Sequence, residues 1–194
     1  MGDKLPLRDL LAEVNACRVC DDDLPLGANP VVRASATARI LIIGQAPGLK
    51  VHNSGIPWND PSGDRLRGWM GVARDTFYDE SKIAIVPMGF CYPGRGKSGD
   101  LPPRKECAPL WHEKLLAQMP AVELTLLIGN YAQGQYLDAT GTTLTERVKD
   151  WASFGPECLP LVHPSPRNQR WLKKNPWFEV EVVPYLAGRI AELL

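Results

Sequence analysis

Three groups of residues in this 194-residue chain have the types and spacing that chemistry requires. One is His163, set in the string His163-Pro164-Ser165-Pro166-Arg167. An imidazole can donate a hydrogen bond to a developing anion, and the prolines stiffen the backbone around it. Another is the turn Gly44-Gln45-Ala46-Pro47-Gly48, whose glycines let backbone amides approach a ligand closely. The third is a set of cysteines: Cys17 and Cys20 form C-x2-C, and Cys91 and Cys107 enclose fifteen residues. In a chain without secretion signals this pattern favours metal over disulfides. Four thiolates suit either zinc or an iron–sulfur cluster, and a redox-active pair or plain buried thiols are the alternatives. Cys158, inside an apolar run, reads as a small buried hydrophobe.

These residues need a scaffold, and the apolar pattern predicts one. ARILIIG, SKIAIVP, ELTLLIG and ECLPLVH are each a short apolar run that stops at Gly, Pro or His. Such runs suit strands covered on both faces, as in a parallel sheet. Helical spacing is expected between them. It falls at Leu7–Val14, over 64–74 with Leu66, Trp69 and Met70, over 109–119, at Leu144–Trp151, and from Pro184 to Leu194. Alternating strands and helices predict an α/β fold, whose ligands sit at the carboxyl ends of the strands. The turn 44–48, residues 87–91, residues 129–131 and the His163 string then share one rim. Residues 89–103 form the longest loop, which needs a tether or a function. No repeat or linker divides the chain, so a single domain over 1–194 is expected.

Composition narrows the function. Hydrophobic residues make up 44% and charged residues 23%, as in a globular chain, which excludes disordered and collagen-like classes. No apolar run approaches a membrane span, and the N-terminus lacks the apolar core of a signal peptide, so a cytoplasmic location is expected. The 22 basic and 22 acidic residues balance, which argues against a binder held by bulk charge and gives no reason to expect more than a monomer. Locally the balance fails. No acidic residue lies between Cys158 and Phe178, where Arg167, Arg170, Lys173 and Lys174 cluster. That stretch is either a solvated basic surface or a phosphate-binding face.

The turn at 44–48 and the string at 163–167 resemble the two signature motifs of the uracil-DNA glycosylase superfamily. The order Cys17/Cys20, Gly44–Gly48, Gly55-Ile56-Pro57-Trp58, Cys91/Cys107 and His163 most resembles its iron–sulfur branch. The resemblance spans residues 17 to about 170. It implies a three-layer α/β/α fold around a four-stranded parallel sheet, and a [4Fe-4S] cluster on Cys17, Cys20, Cys91 and Cys107, with zinc as the lesser alternative. It also implies a DNA partner carrying an altered base, which leaves the stack before its glycosidic bond is cut. His163 would stabilise charge on the departing base, and Trp58, where the family has Phe, would stack on it. Amides around Ala46 and of Ser62-Gly63 would meet base or phosphate oxygens. Ser62, Ser165, Arg167, Arg170 and Lys173 would meet the DNA strand.

Two departures stand out. The first motif of the family carries a water-activating carboxylate, but Gln45 and Ala46 stand at those positions. Asp60 is the nearest acid by sequence and the expected substitute, with the Gln45 amide as a second means of placing water. The family also has a base-reading Asn four residues before the third cysteine, where this chain has Pro87. Asn53, Asn59 or a backbone group would replace it, or the pocket takes another deaminated or modified base. The expected activity is monofunctional hydrolysis of an N-glycosidic bond in base-excision repair; the rival is a base-binding protein that does not cut. Of the other histidines, His52 is expected near the pocket and His112 on a solvent-facing helix surface.

Overall fold

The structure is a computed structural model that describes residues 5–97, 99–138 and 140–194. The four apolar runs form the central sheet as β1 (Ile40–Ile43), β2 (Ile83–Ile85), β5 (Leu124–Ile128) and β6 (Cys158–Leu161). A small hairpin inside the long loop supplies β3 (Arg95–Gly96) and β4 (Gly99–Asp100). The sheet order is β2-β1-β5-β6 with every neighbour parallel. Residues of β1 are buried on both faces, which explains the unbroken ILII run. The edge at β2 is not open: Arg33 pairs with Ile85 in an antiparallel bridge.

Helices cover both faces. α1 (Leu7–Ala16) and α5 (Cys107–Leu116) pack Leu10, Val14, Trp111 and Leu115 against Leu41, Ile43, Ala84 and Leu127. On the other face, α3 (Pro61–Met70) and α9 (Val183–Leu193) bring Leu66, Trp69, Leu186 and Ile190 onto Ile40, Ile42, Leu126 and Leu161. This is the expected three-layer α/β/α arrangement. Shorter helices fill the connections: α2 (Leu49–Ser54), α4 (Arg74–Tyr78), α6 (Asn130–Tyr136), α7 (Leu144–Lys149) and α8 (Gln169–Lys174). No helix among the described residues is long and apolar enough to cross a membrane. Residues 1–4, part of the N-terminal reading, lie outside the described residues.

The helix expected at 64–74 begins and ends earlier. Asp60 caps it by accepting from the Gly63 amide at 2.8 Å, Pro61 takes the first turn, and Gly71 closes it in the left-handed region at φ 66°. His112 corrects another expectation. It is 4% exposed, not solvent-facing. Its Nε2 lies 2.9 Å from the Pro87 carbonyl, its Nδ1 meets the Tyr136 hydroxyl, and its ring stacks on Phe90. Burial holds this imidazole below its ordinary value of 6.5. The acidic and basic neighbours in sequence concealed a buried position on the apolar face of α5.

Behind β5 and β6 lies a second buried polar group. The Gln133 amide of α6 donates to the Leu127 and Leu161 carbonyls, and its oxygen accepts from Arg147. Arg147, itself 4% exposed, also donates to Asn130 and to the Thr142 carbonyl. A buried guanidinium is tolerated here because its donors are used.

Candidate active site

At the carboxyl ends of β1, β2 and β6 the chain encloses a cavity of about 260 Å³. The first turn supplies Gly44 to Gly48, the end of β2 supplies Ile85 and Pro87, and the residues after β6 supply His163, Ser165 and Arg167. Trp58, Asp60 and Ser62 enter from the segment leading into α3, and Asp100 enters from β4. Ligand sites in parallel sheets form at this end, because the loops there leave the strands in different directions.

Trp58 is held by its neighbours' lack of side chains. A Cβ on Gly44 would stand 3.0 Å from the indole, and one on Gly63 would stand 1.7 Å from the Trp58 carbonyl oxygen. Trp58 itself sits at φ 55°, a left-handed conformation unusual for a bulky residue. Its carbonyl is gripped at 3.3 Å by Arg67, a buried residue that also donates to the Tyr78 hydroxyl. Tyr78 in turn donates to the Pro57 carbonyl at 3.0 Å. An over-determined backbone of this kind is found where a side chain must be held in one place.

The Trp58 and His163 rings lie with centroids 5.4 Å apart, tilted by 33°. The Ser165 amide donates to His163 Nδ1 at 3.1 Å. With Nδ1 acting as acceptor, the proton of the neutral ring belongs on Nε2, which is thereby a donor. Burial holds this imidazole below its ordinary value of 6.5, and the negative charge of Asp60 works against that shift. The string itself is braced from outside. Asn168 donates to the His163 carbonyl at 2.8 Å, and Arg65 of α3 donates to the Ser165 carbonyl at 3.2 Å.

Several residues singled out from sequence meet here and others do not. Gln45, Ala46, Trp58, Asp60, Ser62, His163, Ser165 and Arg167 all line the cavity. Gln45 spends its amide on the Leu101 carbonyl at 3.1 Å, and the Asp60 carboxylate accepts from Gly63. The Gly63 amide is therefore taken and does not face a ligand. Asn53 is exposed on α2 and outside the cavity lining. It corrects the expectation of a base-reading amide there: a six-residue helix carries it to the surface. Asn59 receives Arg74, and His52 faces Tyr92, also outside the lining. Arg170 and Lys173 are exposed on α8, beside the string but not in the cavity. Sequence reasoning passed over Asp100, Arg65 and Asn168. Only Asp100 left a signal, as the sole acid in the glycine-rich loop 89–103.

A second hollow lies where α1, residues 20–30, the segment after β2 and the start of α5 meet. Cys17, Cys20, Cys91 and Cys107 all line it, with Leu24, Phe90, Trp111 and Arg104. Burial pushes the Cys91 and Cys107 thiols up to about 11, and the other cysteines add to the effect by mutual repulsion of their anions. Arg104 pairs with Asp23 and Glu106 at its rim. Four thiols lining one hollow are a donor set that fits a shared cationic group. Cys158 is not among them; burial alone pushes it to about 11.

The geometry brings a turn rich in amides, an aromatic platform and a histidine donor around one hollow. A sequence model of the Uracil DNA glycosylase superfamily matches residues 32–187, a span that contains all three, and the chain belongs to that superfamily.

Proposed function

We propose that the protein is a monofunctional DNA glycosylase that hydrolyses the N-glycosidic bond of uracil or of another deaminated or modified base. One observation carries this reading: the 44–48 turn, Trp58 and His163 line the same base-sized cavity although over a hundred residues separate the turn from the histidine. A flipped base would stack on Trp58 and displace water from between the apolar walls of Val31, Val51 and Ile85. As the C1′–N bond breaks, the bonding pair stays with the base, and His163 Nε2–H would donate to the oxygen where that charge collects. Such a donor works best in a site whose water is excluded and whose geometry is fixed beforehand. Asp60, close enough to influence His163, favours positive charge on the ring as the base becomes anionic. Ser165, Arg167, Arg170 and Lys173 would meet the phosphates on either side.

For the cysteine hollow we propose a [4Fe-4S] cluster on Cys17, Cys20, Cys91 and Cys107. Four cysteines line one hollow, and their order and spacing in the chain, C-x2-C followed by two cysteines enclosing fifteen residues, resemble the iron–sulfur branch of the superfamily; zinc on the same thiolates is the alternative. Such a cluster would serve to tie α1 and the loop 89–103 to the sheet.

The test is base release from single- and double-stranded oligonucleotides carrying uracil, hypoxanthine, xanthine or 5-hydroxymethyluracil. His163→Ala is expected to slow release by roughly 10²–10³-fold with the fold intact. Unchanged release in that variant would remove His163 from the mechanism. The absence of a first-motif carboxylate at Gln45 favours a second reading, a base-binding protein without turnover. Tight, salt-dependent binding to the same oligonucleotides with no free base would establish it in place of the first.

A further inference from the structure

We propose that Asp100, delivered by the β3–β4 hairpin, is the carboxylate that activates the attacking water. This inference rests on the glycosylase reading. Two acidic side chains line the cavity, Asp60 and Asp100. Asp60 is engaged as the cap of α3 through Gly63. Asp100 has no side-chain hydrogen bond or ion pair among the described residues, and its carboxylate borders Gly48, where an added Cβ would lie 3.4 Å from Oδ2. The bare Gly48 backbone leaves the carboxylate room beside the first turn.

The hairpin is anchored as a delivery arm would have to be. Arg95 pairs with Asp100 and Gly96 with Gly99 across it, and the Leu101 amide donates to the Gly94 carbonyl at 2.9 Å. Gln45, standing in the first motif, donates to the carbonyl of Leu101, the residue next to Asp100, at 3.1 Å. On the far side the Arg167 guanidinium lies against Gly99, so closely that a Cβ there would be 2.4 Å from it. Thus the motif position that lacks a carboxylate holds the strand that presents one. The root of the loop is tied to the same turn, with Met88 and Gly89 amides donating to the Gly44 and Gln45 carbonyls.

The step balances without any further reagent. The C1′–N bond breaks with its electron pair going to the base, while a water oxygen forms the new bond to C1′. Asp100 takes the proton that this water loses, and after release passes it to solvent. The base anion, held by His163, takes a proton from solvent.

Asp100→Asn, Asp100→Glu and Asp60→Asn are compared by single-turnover base release on the oligonucleotide of the above panel that the wild-type chain cuts fastest. Asp100→Asn is expected to slow release about 10²-fold. Its binding to the same DNA and its melting temperature should stay at the wild-type values, and Asp100→Glu should recover part of the rate. Asp60→Asn keeps a capping oxygen and should slow release less. Full activity in Asp100→Asn, or a larger loss in Asp60→Asn, overturns the assignment and leaves the glycosylase reading standing. Release of no base by the wild-type chain overturns both.

Discussion

Residues 87–107 have an end in each of two hollows. Pro87 and Asp100 line the cavity below Trp58, and Cys91 and Cys107 line the cysteine hollow. The two are built on different terms. In the cavity several groups are held by hydrogen bonds from their neighbours, as with His163 by Ser165 and Asn168 and Trp58 by Arg67, while Asp100 faces it without a partner among the described residues. In the cysteine hollow the thiols face one another among apolar side chains, and their anions repel. A hollow with its surroundings preset can take and release a ligand without reorganising. One lined by four thiols would gain stability from an occupant that takes them as thiolates. With the proposed cluster bound, the difference would fix the long loop at the cysteine end and leave it exact at the other.

The largest effect should come from breaking the fixed end. Cys107→Ser is expected to cost about 4 kcal/mol or more, as the loss of a bound metal group does, and to expose residues 88–106 to protease. Thermal unfolding and limited proteolysis measure both. A variant that melts like the wild type and resists cleavage would show that the hollow does not organise the loop.

Next comes the wall of the cavity. Gly63→Ala places a methyl 1.7 Å from the Trp58 carbonyl oxygen, where rigid backbone blocks it. Trp58 must shift, at roughly 1–3 kcal/mol of stability and a large loss of base release. Gly68→Ala, on the same helix with nothing within 4 Å of the added atom, is the control that should keep both. Equal behaviour of the two variants would show that the indole's placement is not set by this contact.

The smallest effect is one of pH. His112 and His163 are both held below 6.5 in the folded chain by burial. Between the folded and unfolded values the unfolded chain binds more protons, so folding stability rises with pH there. Stability should be full above about 6.5 and fall as pH drops below it. Chemical denaturation at several pH values reads this, and His112→Gln should flatten part of the slope. Because His112 contacts Pro87 from behind the cavity, the same variant sharpens the comparison from its other side.

Much of this was legible in the sequence. The four strands announced themselves because both faces of the sheet are covered, which leaves apolar runs with abrupt Gly or Pro stops. The joining of the 44–48 turn to His163 followed from the rule that strand ends share a rim. The helix ends were less legible, since Asp60 looked like chemistry and serves as a cap as well. His112 was hidden by its charged neighbours, whose side chains face water on the opposite side of α5. The hairpin at 95–100 has two-residue strands, too short for any alternation to register. Arg65 and Asn168 act through hydrogen bonds to backbone carbonyls, and nothing in local composition marks such a partner.

The antiparallel bridge between Arg33 and Ile85 has a consequence for how the protein behaves in company. An open parallel edge offers a row of amides and carbonyls to any passing extended chain. Here the Arg33 amide donates to the Ile85 carbonyl and the Ile85 amide donates back, while the Val31 amide donates to the Phe90 carbonyl. The outer strand is thus paired at Ile85, which lines the cavity together with Val31, and crowding by other chains on that flank is discouraged by the backbone itself.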